Sequence, residues 1–187
     1  MGYDCDASFE DRLDEWIAYI EKYIENATGR VFIADTSASA KVFDGENTKE
    51  FYIPECVEIT KVEVDDDDDG VFEEIVAADY FKYPANETPY TRIKISDLSD
   101  DYFSEGEQNV KITAKWGYSV ACPYDIQFAA MILVAGIINS YNVVDDNANV
   151  KSESIGNYSV SYGDRAGWQD FKRAQEILRS YKKLIFA

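Results

Sequence analysis

Five consecutive aspartates, Asp65–Asp69, form the densest set of potential metal ligands in the sequence, and Gly70 follows them directly. Calcium needs oxygen ligands that converge from spaced positions, and an EF-hand loop closes with a glutamate at its twelfth position. Counted from Asp65, that position holds Val76. Consecutive residues of an extended chain also point to opposite sides, and five like charges repel one another. The run therefore predicts a solvated hairpin tip, with a weak calcium site as the alternative.

Four glutamates and one cysteine are the remaining candidates for catalysis: Glu73, Glu74, Glu105, Glu107 and Cys122. Catalytic carboxylates need a pocket that separates their pKa values, whereas these glutamates lie in polar, loop-like stretches that predict surface positions. The sequence has no histidine to activate the thiol, and the neighbouring Pro123 supplies no N–H group. We therefore expect no enzymatic activity, no cofactor and no metal.

Composition restricts the partners of the chain. It has 187 residues, of which 46% are hydrophobic, and its 36 acidic and 18 basic residues give a net charge of −18. Such a surface repels phosphate backbones, so DNA is expected to pass without specific binding. Three scattered cysteines, Cys5, Cys56 and Cys122, predict free thiols, the last two buried. The start of the sequence does not resemble a signal peptide, and the longest apolar run is too short for a membrane span, so we expect a soluble protein.

The elements that must position these residues are three helices and a β module. Apolar residues recur at helical spacing from Phe9 to Ala27, after the potential N-cap Ser8 and before the potential stop Gly29. Between Arg30 and Gly117 the pattern changes to alternation, which predicts a small antiparallel module of about six or seven strands. The predicted strands are 30–33, 41–43, 50–53, 57–64, 71–72, 91–95 and 110–116.

The second predicted helix, from Pro123 to about Tyr141, contains a segment that is apolar or glycine at every position from Phe128 to Ile138. A helix that is apolar on all sides must be buried on all sides. Two other helices and one β module offer too little cover, so the sequence predicts that a neighbouring copy covers the remaining face.

A hairpin and a basic helix are predicted to follow. Gly156-Asn157 suits a tight turn between alternating segments, and the third helix extends from about Gly167 to Leu184. Residues 165–187 contain six basic and two acidic residues. Cations near the end of a helix favour its dipole, and they could equally dock on an acidic partner.

Several of these segments occur in a recognisable order: Trp116-Gly117-Tyr118, then Pro123-Tyr124-Asp125-Ile126, the apolar helix, the stretch from Ser152 to Tyr162, and a closing amphipathic helix. This order resembles the head–tail connector (adaptor, head completion) family of tailed bacteriophages. The resemblance covers residues 8–33 and 116–187.

The element pattern and the resemblance together predict an α+β fold in which three main helices form a helical connector core, residues 1–33 and 116–187. The antiparallel β-rich insertion predicted by the alternation, residues 34–115, would lie between the first and second helices, where compact members of the family have much less. The resemblance also implies a structural virion protein that assembles into a ring of about twelve copies. The ring would dock on the portal protein, meet a tail-side connector or stopper protein, and extend the DNA channel at the capsid vertex or neck after assembly in the host cytoplasm. The isolated chain could be a monomer.

Two sets of residues are the candidate sites. The predicted subunit interface consists of Glu153, Ile155, Tyr158, Val160, Tyr162, Phe128 and Ile132. The predicted portal-docking set consists of Arg179, Lys182, Lys183, Ile185 and Phe186. A monomeric β-rich tail, baseplate or adhesion module that binds through its β loops is the alternative function.

Overall fold

A computed structural model of the chain describes residues 7–145, 152–155, 158–161 and 165–183. Its elements, in chain order, are α1 (Ala7–Thr28), β1 (Ser39–Gly45), β2 (Glu50–Val64), β3 (Glu73–Glu74), β4 (Tyr80–Tyr83), β5 (Tyr90–Ile95), β6 (Gly106–Trp116), α2 (Tyr124–Asp145), β7 (Ser152–Ile155), β8 (Tyr158–Ser161) and α3 (Arg165–Ser180). The chain divides into two compact units. The sheet unit is Val31–Cys122, and the helical unit combines Met1–Arg30 with Pro123–Ala187.

The sheet unit contains one six-stranded sheet with the strand order β1-β6-β2-β5-β4, in which β3 also pairs with β2. All pairings are antiparallel. The long strand β2 pairs with β5 through its first part and with β6 through its second part. The ladder with β5 is interrupted between Tyr52 and Cys56, where Pro54 has no N–H group to donate.

Alternation along these strands produces the main hydrophobic core. Val62 and Ile112 face each other across the β2–β6 ladder, and both are fully buried. Phe103, in the segment between β5 and β6, is also fully buried, with its ring centroid 4.9 Å from that of Phe51. Cys56 lies in the same core, where burial raises the pKa of its thiol to about 12. Its predicted burial is confirmed, whereas Cys122 is only half-buried.

The prediction of a helical core carrying a β insertion is wrong. The chain is rich in sheet, and the main cluster of buried hydrophobic residues, from Phe51 to Trp116, belongs entirely to the sheet unit. The physical reason is strand length: β2 has 15 residues and β6 has 11, so their alternating positions supply a continuous buried face.

Several strand predictions also need correction. Residues 30–33 form no strand, although Ile33 makes an isolated parallel bridge with Ser119. The pair 71–72 is not a strand, because β3 starts at Glu73, and β4 was not predicted. Alternation over so few residues is a weak signal.

The helical unit contains α1, α2 and α3 together with the β7–β8 hairpin. The predicted stop of α1 is confirmed, because Gly29 has φ +71° and donates its N–H to the Glu25 carbonyl at 2.7 Å. The helix begins at Ala7, so Ser8 lies inside it. At the same end of α1, the Lys183 N–H donates to the Thr28 carbonyl at 2.8 Å, which ties the segment after α3 to the end of α1. Among the described residues, no helix combines the length and apolar character needed to cross a membrane.

Candidate interaction surface

Among the described residues of α2, those on one side of the helix are buried. Ile126, Ala129 and Leu133 recur at helical spacing and are buried. On another side, Phe128 is 37% exposed and Met131 is 61% exposed. A helix this apolar is stable in water only if another surface covers the exposed side.

The exposed side of α2 belongs to an apolar groove with a volume of about 920 Å³. The predicted interface residues Phe128 and Ile132 both line it. Tyr19, which is 65% exposed, also lines it, and sequence reasoning missed this residue. The full lining is Trp16, Tyr19, Ile20, Tyr23, Phe128, Met131, Ile132, Leu133, Ala135, Gly136, Ile137, Asp170 and Phe171.

One cation lies beside this groove. The guanidinium carbon of Arg173 is 4.8 Å from the centre of the Phe128 ring, a cation–π distance. Arg173 is exposed, and it forms no ion pair with any residue in the described part of the chain. It therefore retains its capacity to bind a carboxylate.

The predicted hairpin is present as the pair β7–β8, and its register sorts the residues into two sets. Glu153 pairs with Val160 and Ile155 with Tyr158, whereas Ser152 pairs with Ser161 and Ser154 with Ser159. The register thus pairs serine with serine, and it pairs the predicted interface residues of the two strands with one another. Tyr162 lies outside the described residues.

The predicted portal-docking residues lie at and beyond the end of α3. Arg179 is in its last turn, and Lys182 and Lys183 follow the helix; all three are exposed. Ile185 and Phe186 lie outside the described residues. The surface is thus basic at its described positions.

The aspartate run connects β2 to β3, as the hairpin-tip prediction required. Asp66–Asp69 are exposed, but Asp65 is buried, and its carboxylate accepts the N–H groups of Asp69 at 3.2 Å and Gly70 at 2.9 Å. The side chains of Asp65, Asp67 and Asp69 come within 4.8 Å of one another. The hydrogen bonds to Asp65 account for the closure of the loop.

The four glutamates considered for catalysis are exposed, which confirms their predicted surface positions. A buried acid with two cationic partners is instead Glu63, on β2, whose carboxylate lies 2.9 Å from Lys61 Nζ and 3.2 Å from Lys111 Nζ. Burial acts to raise the pKa of Glu63, but hydrogen bonds and charge from the two lysines outweigh it and hold the pKa below its usual value. Alternating Lys and Glu residues in β2 and β6 were the sequence signal for this cluster.

No protein-family model matches the sequence, and no curated protein matches it. Solved structures that share its fold include chains of gene transfer agent particles. One comes from the neck of an empty particle, computed with C6 symmetry, at a TM-score of 0.59 and 14% identity, with 100% of this chain and 84% of that chain covered. A second comes from the neck of a native particle, computed with C12 symmetry, at a TM-score of 0.57 and 16% identity, with 97% and 89% covered. A third, from the virion of the native particle, has a TM-score of 0.54 and 15% identity, with 100% and 82% covered.

Proposed function

We propose that this chain is a structural subunit of the neck of a tailed-phage-like particle, a head–tail connector that forms a homo-oligomeric ring. The observation that carries the proposal is the fold shared over 97–100% of the chain with chains of gene transfer agent particles, two of which come from necks computed with C6 and C12 symmetry. The role is mechanical, and no enzymatic step is part of it. The ring would extend the DNA channel, and a net charge of −18 per copy would keep DNA from adhering.

The contacts between copies would use the apolar groove and the hairpin. Phe128 and Ile132 contribute from the groove, and Ile155, Tyr158 and Val160 contribute from the hairpin, together with Glu153 and Tyr162. A cyclic ring needs two different surfaces on each copy, because each copy meets one neighbour on each side. The groove and the hairpin provide two such surfaces.

Docking on the portal would use the basic end of the helical unit: Arg179, Lys182 and Lys183, with Ile185 and Phe186 after them. An exposed cluster of cations on an acidic chain favours an acidic partner and accelerates the encounter with it. The opposite side of the ring would meet a tail-side connector or stopper protein.

Negative-stain imaging and mass photometry of the purified chain, alone and with its cognate portal, test the proposal. We expect closed rings of about twelve copies, either alone or on the portal. A chain that stays monomeric and does not bind the portal at micromolar concentrations would contradict a connector role and favour the β-rich binding module.

A charge reversal separates docking from ring formation. Lys182→Glu is expected to weaken portal binding by about tenfold without changing ring formation. Lys22→Glu is the matched control, because Lys22 is an exposed cation of the same unit, on α1. Equal effects of the two substitutions would indicate a non-specific response to net charge.

A further inference from the structure

The groove of the helical unit exposes large apolar side chains to water. Tyr19 and Met131 are more than half exposed, and Phe128, which is 37% exposed, lines the same groove. Contiguous apolar side chains at the surface of a soluble protein are candidates for a binding surface. The occupant must be mainly apolar, because the lining carries one acidic side chain, Asp170, among apolar and aromatic ones.

The β7–β8 hairpin has the complementary composition. One set of positions is entirely serine, and the other set is Glu153, Ile155, Tyr158 and Val160. A two-stranded hairpin is marginally stable in water unless an apolar face packs on something else. The set that contains Ile155, Tyr158 and Val160 is the face that gains from burial.

Charged residues specify how the hairpin would be oriented against the groove. Glu153 is the one charged residue among the eight strand positions of the hairpin, and it shares a set with the apolar residues. Arg173 is the cation beside the groove, next to Phe128, and it has no acidic partner among the described residues. An arginine–carboxylate pair at the edge of an apolar contact specifies register as well as adding affinity.

We propose that the groove of one copy binds the β7–β8 hairpin of a second copy, with Glu153 of the hairpin paired to Arg173 beside the groove. This inference rests on the proposed ring, and it specifies which surface meets which. Hairpin and groove are different surfaces of one chain, so the contact is head-to-tail and can repeat until a ring closes. Tyr158 and Ile155 then cover Phe128 and Met131.

A charge swap tests the ion pair. Glu153→Arg and Arg173→Glu are each expected to lower the ring fraction roughly tenfold at a fixed concentration, as measured by mass photometry. The double variant is expected to restore most of it, because the pair is rebuilt with its charges exchanged. Arg179→Glu is the matched control: it removes another exposed cation of α3, and Glu153→Arg should not rescue any effect it has. A double variant as defective as the singles would overturn the pairing.

Disulfide trapping tests whether the contact is between copies. Ile155→Cys and Met131→Cys are combined with Cys5→Ser and Cys122→Ser, while the native Cys56 stays, because it is fully buried. Under a mild thiol oxidant, a ladder of covalent dimers and larger species on a denaturing gel is the expected result. Bonds within single chains only, or no bonds, would overturn the inference. Urea unfolding midpoints close to wild type establish that each variant folds.

The two proposals fail in different ways. If the wild-type chain forms no ring, with or without the portal, the neck function and this contact both fall. If wild-type rings form while the charge swap does not rescue and the cysteines do not crosslink between copies, the ring stands and only the groove–hairpin contact is wrong.

Discussion

The two units of this chain complete their hydrophobic packing to different extents. In the sheet unit, Ile93, Phe103 and Ile112 are fully buried within a single cluster. In the helical unit, Phe128 and Met131 remain in contact with water although they flank buried residues of the same helix. A domain whose core is closed can fold alone, whereas one with an open groove gains stability when a partner fills it. Under the proposed function, the sheet unit would be a scaffold, and assembly would complete the packing of the helical unit.

The largest effect on stability is expected for a substitution in the closed core of the sheet unit. Phe103→Ala removes a fully buried ring and should lower the free energy of unfolding by about 3–5 kcal/mol, measured by urea titration. The matched substitution Phe128→Ala removes an equal ring from the open groove. In dissociated chains it should cost about 1–2 kcal/mol, since the ring is 37% exposed and already partly in water. Equal costs would mean that the helical unit is as well packed as the sheet unit.

The next effect concerns a buried polar group that the sheet unit satisfies internally. Asn109 Oδ1 accepts the Gly45 N–H at 2.9 Å, and its Nδ2 donates to the Ser104 carbonyl at 2.9 Å. Asn109→Ala removes the side-chain partner of the Gly45 N–H and of the Ser104 carbonyl. The free energy of unfolding should fall by about 1–3 kcal/mol for each of these groups that stays buried. Asn86→Ala, in an exposed loop, is the control and should change the free energy of unfolding little. A small loss at Asn109 would show that water replaces it and that this end of the sheet is open.

Substitutions at two glycines test the same difference in packing between the sheet unit and the helical unit. Gly117 has φ +140°, and a Cβ atom there would lie 2.4 Å from Ala34 Cα, so Gly117→Ala should destabilise the sheet unit by about 1–3 kcal/mol. At Gly136 in α2, an added Cβ meets no atom within 4 Å. Gly136→Ala should therefore stabilise the isolated chain by about 0.5–1 kcal/mol through its helix propensity. Thermal unfolding of both variants measures whether each substitution raises or lowers the stability. A lower stability of Gly136→Ala would mean that the groove is more tightly packed than its geometry indicates.

Local patterns were sufficient to predict most elements of the fold. The apolar stripe that ends at Gly29 predicted α1, and clean alternation predicted the central parts of β2 and β6. The closure of the core could not be predicted in this way. Phe103 lies in an acidic, irregular stretch, and its burial depends on an isolated bridge to Thr48, 55 residues earlier in the chain. Contacts at such separation leave no periodic trace in the sequence.

The candidate surface was predictable only in part. The uninterrupted apolar run predicted that a neighbouring copy covers part of α2, and it placed Phe128 and Ile132 at a subunit interface. Both residues line the groove, and their role in an interface stays a prediction. It did not indicate Tyr19 or Arg173. Their positions depend on how α1 and α3 are rotated about their own axes against α2, which side-chain packing decides.

The smallest expected effect is confined to the sheet unit and depends on pH. The pKa of Glu63 is lower in the folded chain than its ordinary value of about 4.5, so the folded state binds fewer protons than the unfolded state near that pH. The resulting stability is fully present above about pH 4.5 and is lost as pH falls through the lowered folded value. Glu63→Gln should therefore make the free energy of unfolding less dependent on pH below 4.5, as measured by urea titrations at several pH values. Glu107→Gln, at an exposed glutamate of β6, controls for the loss of one negative charge. If both variants retain the wild-type slope, the lysines around Glu63 do not stabilise the sheet, and acid sensitivity must arise elsewhere in the chain.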